Sequence, residues 1–281
     1  MRIATREDSD RIRLLQHPDR MNKGVGASRN AGIAQARAPL VAFLDADDWL
    51  LPQSLASRLE VFRDHPELAF VYGCVRRQDP TELHGSFAGF GIPGGPVAMT
   101  VWLLFENPIF TSTVMVRRSV LPEQPFPERL PPGMVVGEDW LAFLGFSRRG
   151  PAFFLDQHLA AYHQAPAAYS KALRDRCVRH AQLCAEAEIV RSFATRPDPM
   201  YRCVKEALAY RSGVLLVEAI GQVARLRLST ARRCLASAAA VAGSTLLLAR
   251  AAAYWVPRIK FRGWFPRRVT GGPSWRRFTA S

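Results

Sequence analysis

Acidic residues almost vanish from the end of this 281-residue chain. Residues 194–281 hold 16 Lys and Arg against 3 Asp and Glu, whereas residues 1–193 hold 22 against 21. The net charge of +14 is therefore carried by the last third, and the rest is a near-neutral globular unit. The five cysteines (Cys74, Cys177, Cys184, Cys203, Cys234) contain no C-x-x-C pair and are accompanied by no His-rich tract. Scattered thiols of this kind predict reduced cysteines in a reducing compartment. "MRIATREDSDR" alternates charges where a secretory leader needs an apolar stretch, so the chain is expected to stay in the cytoplasm. The uncharged run "CLASAAAVAGSTLLLA" (234–249) is too short and too rich in Ala, Gly and Ser to span a bilayer. Internal repeats and low-complexity tracts are missing as well.

What is present reads as an α/β domain. "RIRLLQH" (11–17) is expected as a short strand. A glycine turn and a small-residue helix follow over 22–38, with Ala27, Ala31 and Ala34 at helical spacing. "PLVAFLD" (39–45) is a continuous apolar run, the pattern of a strand covered on both faces. Pro52 opens a helix with Leu55, Leu59 and Phe62 on one face, and "LAFVYGCV" (68–75) is the next buried strand. Alternating strands and helices predict a mostly parallel sheet. Residues 79–100 read as a long loop and "TSTVMVRRSVL" (111–121) as a strand. "GEDWLAFLGFSRRG" (137–150) carries a buried helix and "AFFLDQHLAAYHQ" (152–164) a pair of short strands. From Lys171 to about Val256 the pattern is helical. The expected division is an α/β domain over 1–168 and a basic helical extension over 169–281.

The chemistry concentrates in "FLDADDWL" (43–50), where Asp45, Asp47 and Asp48 crowd together after a strand. Like charges this close repel unless a cation lies between them. Asp45 and Asp47 share one side of a strand if it persists that far, and ligands bind beyond the carboxyl ends of parallel strands. They could seat Mg²⁺ or Mn²⁺, hard ions that take phosphate oxygens as further ligands. The competing reading is a solvated acidic turn before a helix.

Context weighs on that choice. "NKGVGASRNAGIAQARAPLVAFLDADDWLLPQSL" resembles the nucleotide-sugar-binding core of family 2 glycosyltransferases, inverting enzymes with a GT-A (Rossmann-like) fold. The glycine turn (Gly24, Gly26), Arg29-Asn30, Gly32, Asp45-Ala46-Asp47-Asp48 and Pro52 stand in that family's order. "NPIFTSTVMVRRSVL" and "GEDW" resemble its acceptor-side strand and Glu-Asp motif, and the resemblance covers roughly residues 10–165. It implies a nucleotide-sugar donor bound by Gly24, Gly26, Arg29, Asn30, Asp45, Asp47 and Asp48. It also implies a divalent metal, Mg²⁺ or Mn²⁺, on Asp45 and Asp47. Asp139 would be the base that takes the acceptor hydroxyl's proton, with Glu138 supporting it. Read from the residues themselves, Trp49 is a neighbour of sugar or nucleotide or equally a packing residue, and Trp140, Phe143 and Phe146 are expected in the core.

Two departures from the family pattern are visible. Where a Tyr-Arg-x-His segment can bring a His toward the metal, the His position is Ala165 and His163 takes the Arg position. No third metal ligand is expected from there. The usual opening strand–helix–strand unit also has no counterpart, so the GT-A-like domain is expected to be N-terminally incomplete. The implied acceptor is a cell-envelope glycan or lipid-linked saccharide. The Trp- and Arg-containing tail suits an anionic membrane surface, placing the protein peripherally on the inner face of the cytoplasmic membrane. Nucleic acid is disfavoured, since no helix-turn-helix, zinc or RNA-binding signature is present. Two alternatives remain open: an inert glycosyltransferase remnant or binding module, and a phosphatase using an Asp nucleophile in D-x-D.

Overall fold

The computed structural model describes residues 12–18, 20–77, 86–87, 94–162, 175–194, 198–223 and 227–243. His163, Ala165 and most of the basic tail, from 244 onward, lie outside the described residues.

The helix α1 (Gly24–Gln35) leads into strand β1 (Leu40–Ala42), then β2 (Trp49–Leu50) and helix α2 (Ser54–Asp64). Strands β3 (Phe70–Arg77), β4 (Ser86–Phe87) and β5 (Gly95–Val97) come next, followed by helix α3 (Met99–Phe105) and strand β6 (Met115–Arg117). Helix α4 (Glu138–Ser147) and strand β7 (Ala152–Tyr162) complete the α/β part. Three helices follow: α5 (Arg176–Ser192), α6 (Tyr201–Val223) and α7 (Leu228–Ala242).

The sheet is mixed, which corrects the expectation of a mostly parallel one. Its order is β1-β6-β3-β7-β2, with β4 on β3 and β5 on β7. Among the described residues only β3 and β7 pair in parallel; β6 runs against both of its neighbours, β1 and β3. The alternation of strand and helix does aim β1, β3 and β7 the same way. The sequence offers no sign that β6, from far downstream, is inserted between β1 and β3.

Several local expectations also change. Residues 12–17 form no strand; they run beside α1, where Arg13 donates to Gln35 Oε1 at 3.1 Å. The buried residues of α1 are Gly26, Ala27, Asn30 and Ile33, while Ala34 is exposed. In α2 the buried face is Ser54, Arg58 and Phe62, and Leu55 and Leu59 face outward. The stretch read as a loop over 79–100 contributes β4, β5 and the start of α3. The strand expected over 111–121 shrinks to β6, flanked by 3-10 turns at Thr111–Thr113 and Arg118–Val120.

The pair of short strands near 152–164 is one long strand with a bulge opposite Gly73 and Cys74. A side chain at Gly73 would meet Leu155 O at 2.8 Å and Leu159 Cδ1 at 2.6 Å. Glycine lets the bulged backbone close over β3, and Asp156, Gln157 and His158 swing out to solvent.

Phe70, Tyr72, Leu103, Phe126, Phe143 and Phe146 are fully buried. They share one apolar cluster with Val190, Val204, Leu215 and Val241 of the C-terminal helices. The near-all-round apolar face of α4 puts Trp140, Phe143 and Phe146 in this core, as their spacing predicts. No described helix is long and apolar enough to cross a membrane.

Candidate active site

Gly24 and Gly26 lie in the first turn of α1 rather than in a turn ahead of it, and the helix aims Arg29 at the acids. Gly24 takes φ +89°, a conformation that a side chain would strain. Gly26 permits a close packing contact: a Cβ there would lie 2.5 Å from Pro127 O. Asn30, only 5% exposed, donates to Phe126 O at 2.8 Å and accepts from Phe126 N at 3.1 Å. Both polar ends of Asn30 thus hold the 126 segment against α1, and the Phe126 ring lies 5.2 Å beneath the Arg29 guanidinium. Arg29 then reaches in two directions. Its Nη2 donates to Asp45 Oδ1 at 2.6 Å and its Nη1 to Glu138 Oε1 at 3.0 Å.

The three aspartates after β1 have three different situations. Asp45 is ion-paired with Arg29, and its backbone N–H donates to Ser112 Oγ at 3.0 Å. Asp48 is buried and accepts from the same hydroxyl at 2.5 Å, closing a turn in which its N–H donates to Asp45 O at 3.1 Å. Asp47 is exposed between them. Ser112, 1% exposed, is thus the pin of the acidic turn, a role no spacing in the sequence announces. Trp49 stands next to the turn, half exposed.

Glu138 and Asp139 are the first two residues of α4, after Gly137 at φ +106°. A helix N-terminus favours acids in its first turn. Asp139 Oδ1 accepts from the Trp140 N–H at 2.7 Å, and Oδ2 from Asn107 Nδ2 at 3.3 Å. Burial, then the charges of Glu138 and Asp45, push the Asp139 carboxyl up to about 6 against the opposing Trp140 N–H and Arg29. For Arg29, burial opposes the charge, yet Asp45, Glu138 and Asp139 outweigh it and hold the guanidinium above its ordinary value.

The C-terminal helices hold the loop that carries this motif. Gln182 of α5 accepts from Val135 N at 2.7 Å and Val136 N at 3.4 Å, and donates to Val136 O at 2.9 Å. Arg211 of α6 lies 5.2 Å from the Trp140 ring and donates to Leu104 O at 3.1 Å. Neither residue could have been singled out from sequence, because a glutamine or arginine on a helix is ordinarily a surface residue.

The structure therefore brings Arg29, Asp45, Glu138 and Asp139 into one charged cluster. It uses Gly24, Gly26, Asn30 and Asp48 to build the turns and contacts around that cluster. An acid-lined α/β site with one cation bridging its two halves suits a group transfer in which charge moves.

Comparison with known proteins shows what part of the chain is similar to. Residues 3–121 match the model of "Glycosyl transferase family 2", so this part of the chain is similar to that family. The match ends before Glu138 and Asp139. The "Putative glycosyltransferase EpsH" of Bacillus subtilis (strain 168) is 29% identical over 102 residues, which is 36% of this chain and 30% of that protein. The chain thus covers less than a third of the length of that relative.

Proposed function

We propose that this protein transfers a sugar from a nucleotide-sugar donor to a glycan or lipid-linked acceptor of the cell envelope, with inversion at the anomeric carbon. The observation that carries the reading is Arg29, bonded at once to Asp45 on the donor side and Glu138 beside the base. The Asp139 carboxyl, raised to about 6, is ionised at neutral pH yet basic enough to accept a proton as the transition state forms. In the reaction the acceptor oxygen bonds to the anomeric carbon, its proton passes to Asp139, and the bond to the nucleoside diphosphate breaks on the opposite face. Glu138 and Arg29 orient the site and tie the two halves together.

Asp47 projects to solvent and Asp45 Oδ2 faces no cation among the described contacts, so two carboxylates fit a hard divalent ion, Mg²⁺ or Mn²⁺. Such an ion supplies charge neutralisation for the leaving diphosphate. Association with the inner membrane surface rests on the basic sequence: Arg232 and Arg233 are on α7, and the remainder of the tail lies outside the described residues. A guanidinium 2.6 Å from Asp45 does not favour the phosphatase alternative, which needs that carboxylate as a nucleophile.

The test is transfer from a panel of uridine- and guanosine-diphosphate sugars, with Mn²⁺, to membrane glycolipid from the producing cell. Turnover that Asp139→Asn and Asp47→Asn both abolish supports the assignment. Failure of the folded native protein to bind a nucleoside diphosphate with Mn²⁺ would replace it with the inert-remnant reading.

A further inference from the structure

Away from the acidic site, three side chains from three different helices converge inside the C-terminal unit. His180 of α5, Glu218 of α6 and Cys234 of α7 bring one ligand atom each within 4.8 Å of one another. His180 Nε2 is 3.4 Å from Glu218 Oε2 and 3.7 Å from Cys234 Sγ. We propose that this trio is a structural binding site for a borderline-soft divalent cation, Zn²⁺ above all, that staples α5, α6 and α7 together.

The spacing supports a metal. Zinc bonds of about 2.0–2.3 Å in tetrahedral array put neighbouring ligand atoms about 3.3–3.6 Å apart. The two distances to Nε2 are already within a few tenths of an ångström of that, so closing on an ion requires only small side-chain adjustments. The ligand chemistry is one nitrogen, one oxygen and one sulfur. Zinc takes such a mixture, whereas Mg²⁺ and Mn²⁺ prefer oxygen alone. The Cys234 thiolate and Glu218 carboxylate supply two negative charges to the divalent ion and the neighbouring Arg179 guanidinium. Binding releases the Cys234 thiol proton to solvent.

The surroundings have the parts that hold ligands in place. Ser237 Oγ lies 3.4 Å from His180 Nδ1, so an Nδ1–H bond to that hydroxyl presents the Nε2 lone pair to Glu218 and Cys234. Arg179 pairs with Glu218 Oε2 at 2.5 Å and steadies the carboxylate from outside. Cys234 is fully buried and His180 is 9% exposed, so the site is closed, as structural zinc sites are. Gln222, one turn beyond Glu218 on α6, is 3% exposed, and its Oε1 is buried without a hydrogen-bond partner. It is a further oxygen donor on the same helix face. Spacings of 38 and 16 residues between the ligands explain why no zinc signature shows in the sequence.

The experiment titrates Co²⁺, a spectroscopic stand-in for Zn²⁺, into the full chain after chelator treatment. The expected result is one equivalent bound with a thiolate-to-cobalt charge-transfer band, displaced by Zn²⁺. Cys234→Ser should abolish the band, and Zn²⁺ should raise the melting temperature of the parent but not of this variant. Because a serine there could disturb folding, Glu218→Gln and His180→Asn provide a second reading. Each should keep a band but weaken affinity by roughly tenfold or more, as even outer-sphere losses do. The double variant Asp45→Asn, Asp47→Asn should bind cobalt in this manner unchanged, which separates the site from the catalytic one. No charge-transfer band in the parent would overturn the proposal. So would a band that survives Cys234→Ser, or equal affinity in both ligand variants.

Discussion

Replacing Asp139 by asparagine should raise the stability of the chain relative to the parent as pH goes from acid to neutral, and should remove the proposed transfer activity. In the folded chain burial and the neighbouring carboxylates raise Asp139 from 3.8 to about 6. Between those values the unfolded chain has released this proton and the folded chain retains it, so stability falls as pH rises through the window. Above about 6 both states are ionised and the penalty is constant. Two pKa units correspond to about 3 kcal/mol. Asparagine carries no such penalty, but it has one acceptor oxygen for the two donors, Trp140 N–H and Asn107 Nδ2, that Asp139 serves. Leaving one donor unpaired costs about 1–3 kcal/mol at every pH. The signature is therefore the slope. Measured by urea unfolding and Trp fluorescence, the stability of Asp139→Asn minus that of the parent should climb by about 2–3 kcal/mol from pH 3.5 to pH 7 and then level off. A difference independent of pH, or one that declines, would refute the account of a buried carboxylate pressed by Glu138 and Asp45.

Three other outcomes are expected. Gly26→Ala should lower stability by about 1–3 kcal/mol in denaturant titration, because its Cβ meets the Pro127 carbonyl and backbone must shift. Arg29→Met leaves Asp45, Glu138 and Asp139 without their shared cation; the alkaline-going limb of the pH–rate profile for Asp139 should move up, and stability should drop by about 2–3 kcal/mol. Gln182→Leu frees Val135 and Val136 ahead of the Glu-Asp motif, so kcat should fall roughly tenfold with little change in donor KM. Equal losses in kcat and KM would make Gln182 a packing residue only.

How much of this was written locally can be traced residue by residue. An uninterrupted apolar run ending in D-x-D-D, a glycine turn before a small-residue helix, and an apolar helix opened by Glu-Asp each declare an element within ten residues or so. Those signals placed β1, α1 and α4, buried Trp140, Phe143 and Phe146, and put Asp45 and Asp139 at element ends where charges can meet. They misjudged which side of α2 is buried. Arg58 is fully enclosed, with its guanidinium donating to Ser54 O, Ser54 Oγ and Thr113 O, while Leu55 and Leu59 face solvent. Hydrophobic periodicity cannot anticipate a buried arginine satisfied in part by a backbone carbonyl 55 residues away.

Sequence by itself determined the α/β class, the acidic turn and the basic end, because each depends on neighbouring residues or on composition. Tertiary structure decided the rest. It set β6 between β1 and β3, gave Asp48 to Ser112, joined Asp45 to Glu138 through Arg29, gripped the Glu-Asp loop with Gln182, and gathered His180, Glu218 and Cys234. Each of these pairs residues far apart along the chain, where the free energy of contact depends on how whole elements pack and no local pattern records the partner.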